Sequence, residues 1–328
     1  MIIKITFHLI AVKNSSIKGI QILDDKVSFT LLNPIWVTGF TDAEGSFIIS
    51  IIKSSERRTG WRVQAIFAIQ LHERDIATLY RIKSFFGVGT IVVNKKRGHA
   101  NYAVRNVKDI YSFIIPHFNK YPLLTQKQAD FELFQTIVNL IIQNQHTTPD
   151  GLKKIVELRA SLNKGISGEL AKNFPNIQPV ERPKVELTKN IDLNWLVGFI
   201  DGEGCFSVYI FPSKTKIGFA VQLNFNIVQH IRDSSLLINI QRCLGCGSII
   251  QIPEKSRVNF VVVKLTDIIN ILLPIFSKYP LQGTKNLNFM DFCKIVDIMK
   301  NKRHLTSLPT PHPTHVWGGG WGGRIRGD

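Results

Sequence analysis

The sequence predicts an α+β protein, a tandem repeat of two αββαββα domains, each a β-sheet backed by helices. Three observations predict it. First, the chain contains itself twice. WVTGFTDAEGSF runs from Trp36 to Phe47 and WLVGFIDGEGCF from Trp195 to Phe206, 159 residues apart. FFGVGTI from Phe85 pairs with CLGCGSI from Cys243, and KYPL from Lys120 with KYPL from Lys278. Lys127 pairs with Lys285 and Phe131 with Phe289, all at an offset of 158. That period is far too long for a solenoid, so it marks a duplicated domain. Second, paired stretches in each copy are β-branched and aromatic with period-two alternation, as strands are. Third, stretches with helical spacing end at glycine. A length of 328 residues accommodates two domains and a tail, and a hydrophobic share of 44% excludes a wholly disordered chain.

Each repeat opens on a short helix. Asn33 is a good N-cap and Pro34 suits the first helical position; Asp192 or Asn194 caps the second copy. Gly45 and Gly204 stop these helices. SFIISIIK and CFSVYIF follow as first strands, RVQAIFAIQL and FAVQLNFNIV as second strands. The polar, basic segments between them, KSSERRTGW and PSKTKIG, are hairpin loops. HERDIATLYRIKSFFG and HIRDSSLLINIQRCLG are helical. GTIVVNKKRGHANYAVRNV and GSIIQIPEKSRVNFVVVKL form a second hairpin, and helices around VKDIYSFIIPHF and QKQADFELFQTIVNLI close the unit. Helices on one face leave the other face of the sheet open. The organisation is therefore an N-terminal extension over 1–30, repeats over 31–145 and 191–305, and a partly ordered linker over 146–190 containing the helical GLKKIVELRASLNKG. Residues 306–328, rich in proline, glycine and histidine, are a disordered tail in which His312 and His315 are solvated.

Lysine and arginine number 41 against 24 acidic residues, a net charge of +17. Such an excess points to a polyanionic partner, nucleic acid or an anionic membrane surface. No amphipathic basic helix stands out and no apolar run is long enough to span a bilayer, which disfavours the membrane. Cys205, Cys243, Cys246 and Cys293 are too few for a disulfide scaffold, and the one CxxC lacks a second pair for zinc. A reducing or organellar interior fits.

VTGFTDAEG (Val37–Gly45) and LVGFIDGEG (Leu196–Gly204) resemble the signature of the LAGLIDADG homing endonucleases, in particular the single-chain, two-repeat type of fungal mitochondrial introns. The likeness covers roughly residues 31–305. It implies a pseudo-twofold pair of homing-endonuclease domains, each sheet a saddle backed by helices. The residues support it physically. Gly39 and Gly198 let two such helices approach closely, and Ala43 and Gly202 are again small. Trp36, Phe40, Trp195 and Phe199 can bury themselves in their own domains. The helices end in Glu44 and Glu203. Packed side by side, the two carboxylates meet and repel, and a divalent cation relieves this. Hard oxygen ligands and substrate phosphates suit Mg²⁺, with Mn²⁺ or Ca²⁺ able to replace it in binding. By resemblance, Glu44 and Glu203 are the metal ligands, one serving each strand, and the backbone carbonyls of Ala43 and Gly202 add to them. Asp42 and Asp201 are, in the family, more often structural.

A polar strand residue that orders water near the metals has two candidates. One is Gln222, whose counterpart is Gln64. The other is Gln229, whose counterpart is Leu71, which would make the two halves of the site unequal. Lys127 and Lys285, and more weakly Lys264, could stabilise developing phosphate charge. Counting by twos from the glutamates puts Ser46, Ile48, Ser50 and Ile52 on one open face and Cys205, Ser207, Tyr209 and Phe211 on the other. The second strands add Arg62, Gln64, Ala68 and Gln70 against Gln222, Asn224 and Asn226. Amides read adenine and arginine reads guanine. Arg57, Arg58, Lys95, Lys96, Arg97, Lys214, Lys216, Lys255 and Arg257 at hairpin tips, with Arg105, suit flanking phosphates. The resemblance implies a monomer that binds double-stranded DNA at a long asymmetric target. It further implies a double-strand break with short 3′ overhangs that promotes intron homing. A maturase that binds its host intron RNA, or a DNA-binding protein that does not cleave, shares the same basic surface.

Overall fold

The computed structural model describes residues 31–166, 168–186, 190–215 and 217–305, together with the backbone of Ile3–Thr6. The tail over 306–328, most of the N-terminal extension and Lys216 lie outside the described residues.

In the first repeat, α1 (Pro34–Glu44) is capped by Asn33, whose Oδ1 accepts from the Ile35 and Trp36 amides at 2.8 and 3.4 Å. It runs directly into β2 (Gly45–Lys53), β1 being the strand Ile3–Thr6. Then come β3 (Trp61–His72), a 3-10 turn at Glu73–Asp75, and α2 (Ile76–Phe86). β4 (Thr90–Asn94) and β5 (His99–Val104) follow, and after a bent helical segment, α3 (Lys127–Ile142). α2 stops at Gly87, whose φ of 71° is the left-handed cap that glycine adopts without strain. The bent segment has π-turns at Ile110–Ile114 and, in the second repeat, at Ile268–Leu272. Each precedes a proline, Pro116 or Pro274, that lacks an N–H and crowds the preceding turn; the wider turn relieves both problems.

The second repeat copies this order: α6 (Leu193–Glu203), β6 (Gly204–Pro212), β7 (Phe219–His230), α7 (Ser234–Leu244), β8 (Ser248–Ile252), β9 (Arg257–Val262) and α8 (Lys285–Lys300). Asp192, rather than Asn194, caps α6. Both sheets are antiparallel. One has the order β2-β3-β5-β4; the other has the matching order β6-β7-β9-β8 with β1 added beside β6. Gly45 faces Ile69 and Gly204 faces Ile227, so the two hairpins start in the same register.

Gly45 and Gly204 do end the helices, but not by a left-handed turn. Both are extended, with φ of −78° and −71°. A Cβ there would lie 2.4 Å from Thr41 Cγ2 or 2.6 Å from Ile200 Cγ2. Glycine is needed for space where the strand leaves the helix.

The parity read from the sequence holds in the core. Phe47, Ile49, Ala65, Phe67 and Ile69 are buried under the helices, as are Phe206, Val208, Leu223, Phe225 and Ile227. Phe47 packs on Phe118, Phe131 and Phe134, and Phe206 packs on Phe276, Phe289 and Phe292. Such ring clusters contribute beyond their buried area.

The inter-repeat segment is packed on the first repeat. α4 (Pro149–Ser161) buries Leu152, Ile155, Val156 and Leu158. Arg159 Nε donates to the Ile49 carbonyl at 3.0 Å, and Asn163 Nδ2 to the Phe47 carbonyl at 2.9 Å. These side chains satisfy the open edge of β2. A short helix, α5 (Gly168–Asn173), follows. In the second repeat the equivalent edge, β6, is paired instead with β1, Thr6 facing Ser207. Among the described residues no helix is long and apolar enough to cross a membrane.

Candidate active site where the two helices meet

α1 and α6 touch backbone to backbone. A Cβ on Gly39 would lie 2.0 Å from the Trp195 carbonyl oxygen, and one on Gly198 would lie 2.2 Å from that of Trp36. One turn further on, a Cβ on Gly202 would lie 2.3 Å from Ala43 Cβ and 3.3 Å from Glu44 Oε1. The C-terminal ends of the helices, with Glu44 and Glu203, therefore meet.

The two tryptophans do not confine themselves to their own domains, as the sequence suggested. Each stacks on its own helix, Trp36 on Phe40 and Trp195 on Phe199, both at 4.9 Å. Their indole N–H groups, buried and in need of an acceptor, cross the interface. Trp36 Nε1 donates to Asp201 Oδ2 at 2.9 Å, and Trp195 Nε1 donates to Asp42 Oδ2 at 2.8 Å. Asp42 also accepts from the Leu124 and Thr125 amides and the Thr125 hydroxyl, and Asp201 from the Gln282 and Gly283 amides. Both aspartates are thus fully occupied in bracing helix, opposite tryptophan and following loop. Burial pushes the Asp201 carboxyl up to about 6, against the pull of these donors, and raises Asp42 as well.

Lys127 Nζ donates to the carbonyls of Thr41 (2.9 Å), Asp42 (2.8 Å) and Ala43 (3.4 Å). Lys285 Nζ donates to those of Ile200 (3.0 Å) and Gly202 (2.6 Å). The ammonium groups thereby satisfy the carbonyls of Asp42, Ala43 and Gly202 at the negative ends of the helix dipoles, and share those of Thr41 and Ile200 with the Gly45 and Gly204 amides. Residues singled out separately, the lysines and the carbonyls of Ala43 and Gly202, are here bonded to one another. Burial lowers both lysine pKa values, and the fields of Glu44 and Glu203 oppose this at each. Burial likewise raises both glutamates, and Glu203 is raised further by Glu44.

The Gln229 side chain lies beside Glu203 and pulls its carboxyl down, against the rise that burial imposes. It has the core-facing parity of Phe225 and Ile227, and beyond Ile227 that parity points at the end of α6 rather than into the core. Its counterpart Leu71 lines a cavity of about 450 Å³ beside Glu44, together with Gln70, Arg74, Arg97 and Lys285. Gln222 is elsewhere. It faces Tyr209, five positions from Ile227, or about 17 Å along the strand. Gln222 and its counterpart Gln64, which faces Ser50, are remote from the carboxylates. Lys264 pairs with Asp267 at 3.8 Å and is not at the site.

On the open faces, Ser46, Ile48, Ile52, Arg62, Gln70 and Gln222 are exposed. Ser50, Gln64, Cys205, Tyr209, Phe211, Asn224 and Asn226 are half-buried, and Ala68 is buried. Ser207 departs from expectation: it is fully buried, flanked by β1 and β7, with Cys205 Sγ 3.2 Å from its hydroxyl. Arg57, Arg58, Lys95, Lys96, Arg97, Lys214 and Lys255 are exposed at the hairpin tips. Arg105 is exposed just past β5, away from a tip, and Arg257 is half-buried on the face, opposite His230.

Several participants escaped the sequence reading. Asn101 and Asn259 face Gln70 and Val228 from the neighbouring strands, and the period of two in β5 and β9 marks them. Asp75 accepts from the Thr284 hydroxyl and Asp233 from the Gln126 amide, each across the repeats. The repeated HERD and HIRD carried that signal. Arg182 joins Asp130 (2.8 Å) to the Gln126 carbonyl (2.9 Å), tying the linker to the residue before Lys127.

Two carboxylates raised by burial, with carbonyl oxygens beside them, are a hard-oxygen donor set that fits a divalent cation such as Mg²⁺. Among the described residues no cluster of three or more His, Cys, Asp or Glu side chains could hold a metal. The remaining ligands of such an ion would come from backbone, water and substrate.

The family model for the LAGLIDADG endonuclease matches residues 37–138 and 196–296, once per repeat. "Probable intron-encoded endonuclease 2" of Neurospora crassa is 40% identical over 286 residues, covering 84% of this chain and 62% of its own length. "Probable intron-encoded endonuclease 3" of the same fungus is 38% identical over 312 residues, covering 93% and 58%. The chain thus spans about three fifths of the length of these curated relatives. Among solved structures, I-SmaMI bound to its uncleaved DNA target with calcium ions superposes with a TM-score of 0.82 at 39% identity, over 84% of this chain and 94% of that one. I-SmaMI bound to cleaved DNA gives 0.81 at 39% identity, over 84% and 92%. Two matched repeats, glycine-tight helices and a carboxylate at each helix end make this chain a member of the LAGLIDADG endonuclease family.

Proposed function

We propose that the chain is an intron-encoded, monomeric endonuclease of the mitochondrion. It makes a metal-dependent double-strand break with short 3′ overhangs at a long asymmetric DNA target and so promotes intron homing. The observation that carries this reading is the meeting of Glu44 and Glu203 at the junction of two basic, open sheet faces. The intron-encoded fungal relatives and the DNA-bound structural neighbours support it.

Glu44 and Glu203 would hold the cations, one carboxylate serving each strand, with the carbonyls of Ala43 and Gly202 beside them. Bound Mg²⁺ supplies activation of water and stabilisation of the leaving oxygen in phosphodiester hydrolysis. The chain does the rest. Gln229, beside Glu203, would orient its carboxylate and the water it holds, whereas Leu71 offers Glu44 no polar group, so the two halves would work unequally. Lys127 and Lys285 hold the helix ends and lend positive charge where phosphates would enter. Ser46, Ile48, Arg62, Gln64 and Gln70 face one half-site, and Cys205, Tyr209, Gln222, Asn224 and Asn226 the other. The tip cations suit flanking phosphates.

The test is selection from a randomised duplex library with Ca²⁺, followed by incubation with Mg²⁺ or with a chelator. The reading predicts one long asymmetric site, cut only with Mg²⁺. Enrichment without scission would make the protein a binder, and enrichment of intron RNA alone would make it a maturase.

A further inference from the structure

The inner halves of the two open faces differ chemically at equal register. Near the end of α1, Ser46 faces Ala68 and Ile48 faces Ile66. Near the end of α6, the same positions are Cys205 facing Asn226 and Ser207 facing Asn224. Ile48 is 36% exposed, an aliphatic side chain on the open face next to the helix end, where the second repeat has a polar one. In the second repeat the corresponding pair is a buried serine and an asparagine, and Asn226 Nδ2 donates to Asn224 Oδ1 at 2.9 Å.

Each surface selects a different ligand group. An exposed isoleucine with a half-buried one facing it gains free energy when an apolar group covers the pair. On the major-groove edge of DNA the C5-methyl of thymine is the apolar group available. The amide pair asks for the opposite. With one N–H committed to Asn224, Asn226 keeps its Oδ1 and second N–H, the combination that matches adenine N6 and N7. The bond between the two amides holds that orientation before DNA arrives, which lowers the ordering cost of binding.

We infer that the chain reads its two half-sites by different base chemistry. Ile48 and Ile66 take thymine methyl groups over the inner half of the first sheet, and Asn226, oriented by Asn224, takes an adenine edge over the inner half of the second. The inference rests on the endonuclease reading and goes further, to the base groups each repeat recognises.

The experiment uses the full chain and the duplex selected above, with affinity measured by fluorescence anisotropy in Ca²⁺. The duplex is remade with deoxyuridine for thymidine, or with 7-deazaadenine for adenine, at the inner base pairs of one half at a time. Uracil should weaken binding in one half only, about fourfold for each methyl removed. Deazaadenine should weaken it in the other half only, about tenfold, because an amide N–H loses its acceptor. The double substitution Ile48→Ser with Ile66→Asn should abolish the uracil effect, which identifies that half as the first repeat's. Asn226→Ala should abolish the deazaadenine effect. Uracil tolerated in both halves, or both halves responding alike to either analogue, would overturn the inference and leave the endonuclease reading standing. A library that enriches no duplex would overturn both.

Discussion

Gly202→Ala is the sharpest perturbation of the helix junction. The added methyl would stand 2.3 Å from Ala43 Cβ and 3.1 Å from Glu44 Cγ. Carbon atoms in contact sit about 3.8 Å apart, so the helix ends must part by roughly 1.5 Å. Overpacking of this kind costs about 1–3 kcal/mol, and the better helix propensity of alanine returns about 1. The net loss of stability is then about 0–2 kcal/mol. The catalytic cost is larger, because the atoms that move carry Glu44 and Glu203; a displacement of about 1 Å in reacting groups lowers rate about 100-fold. The compensating change is Ala43→Gly, which removes the opposing methyl. The double variant Ala43→Gly with Gly202→Ala keeps one alanine and one glycine, so its propensity terms cancel and both stability and cleavage should return towards wild type. Urea unfolding and single-turnover cleavage of the selected duplex measure the four corners of this cycle. If Gly202→Ala cuts and unfolds like the wild type, or if the double variant is no better than the single, the helices do not meet as described.

Other consequences can be measured on the same preparation. Trp195→Phe leaves Asp42 without its cross-interface donor, and should cost about 1–3 kcal/mol in urea unfolding; an unchanged midpoint would remove that bond from the account. Gln229→Leu makes the second half resemble the first, and should slow nicking of one strand with no change in melting temperature; equal slowing of both strands would count against the pairing of Gln229 with Glu203. His117, packed among Phe85, Phe86, Phe118 and Tyr121, is pushed down to about 4 by burial. The unfolded chain therefore binds the extra proton between about pH 6.5 and pH 4. The stability contributed by this histidine is present above that window and lost as pH falls through it, by about 2 kcal/mol at pH 5. His117→Gln should flatten the pH dependence by that amount; an unchanged slope would mean that His117 titrates normally in the folded protein.

Much of the fold was legible because the chain states it twice. The offset of Trp36 to Trp195 and of Lys127 to Lys285 aligned the elements the two repeats share, and alternation sorted Phe47 and Ile49 inward from Ser46 and Ile48. The glycines of the paired helices read correctly as places of close approach. What failed were statements whose partners are distant in sequence. Nothing local to Trp36 says that its acceptor is Asp201, on the other repeat. Ser207 counted as an exposed position by parity, but β1 closes its flank, and no counterpart of β1 exists in the repeat that would reveal it. The two candidate glutamines were separable only by register. Core-facing parity is buried while a helix lies beneath the strand and becomes site-facing where that helix ends, which brings Gln229 beside Glu203 and leaves Gln222 far out on the face.

Strand-resolved cleavage of the selected duplex by wild type, Glu44→Gln and Glu203→Gln tests the central claim most directly. The substitutions keep side-chain size and remove the charge that a cation needs. With Mg²⁺ the wild type should cut both strands, each variant should lose the double-strand break, and chelator should silence all three while DNA affinity persists. A variant that still cuts both strands at the wild-type rate, or cleavage that survives the chelator, would show that the carboxylate pair is not the catalytic centre.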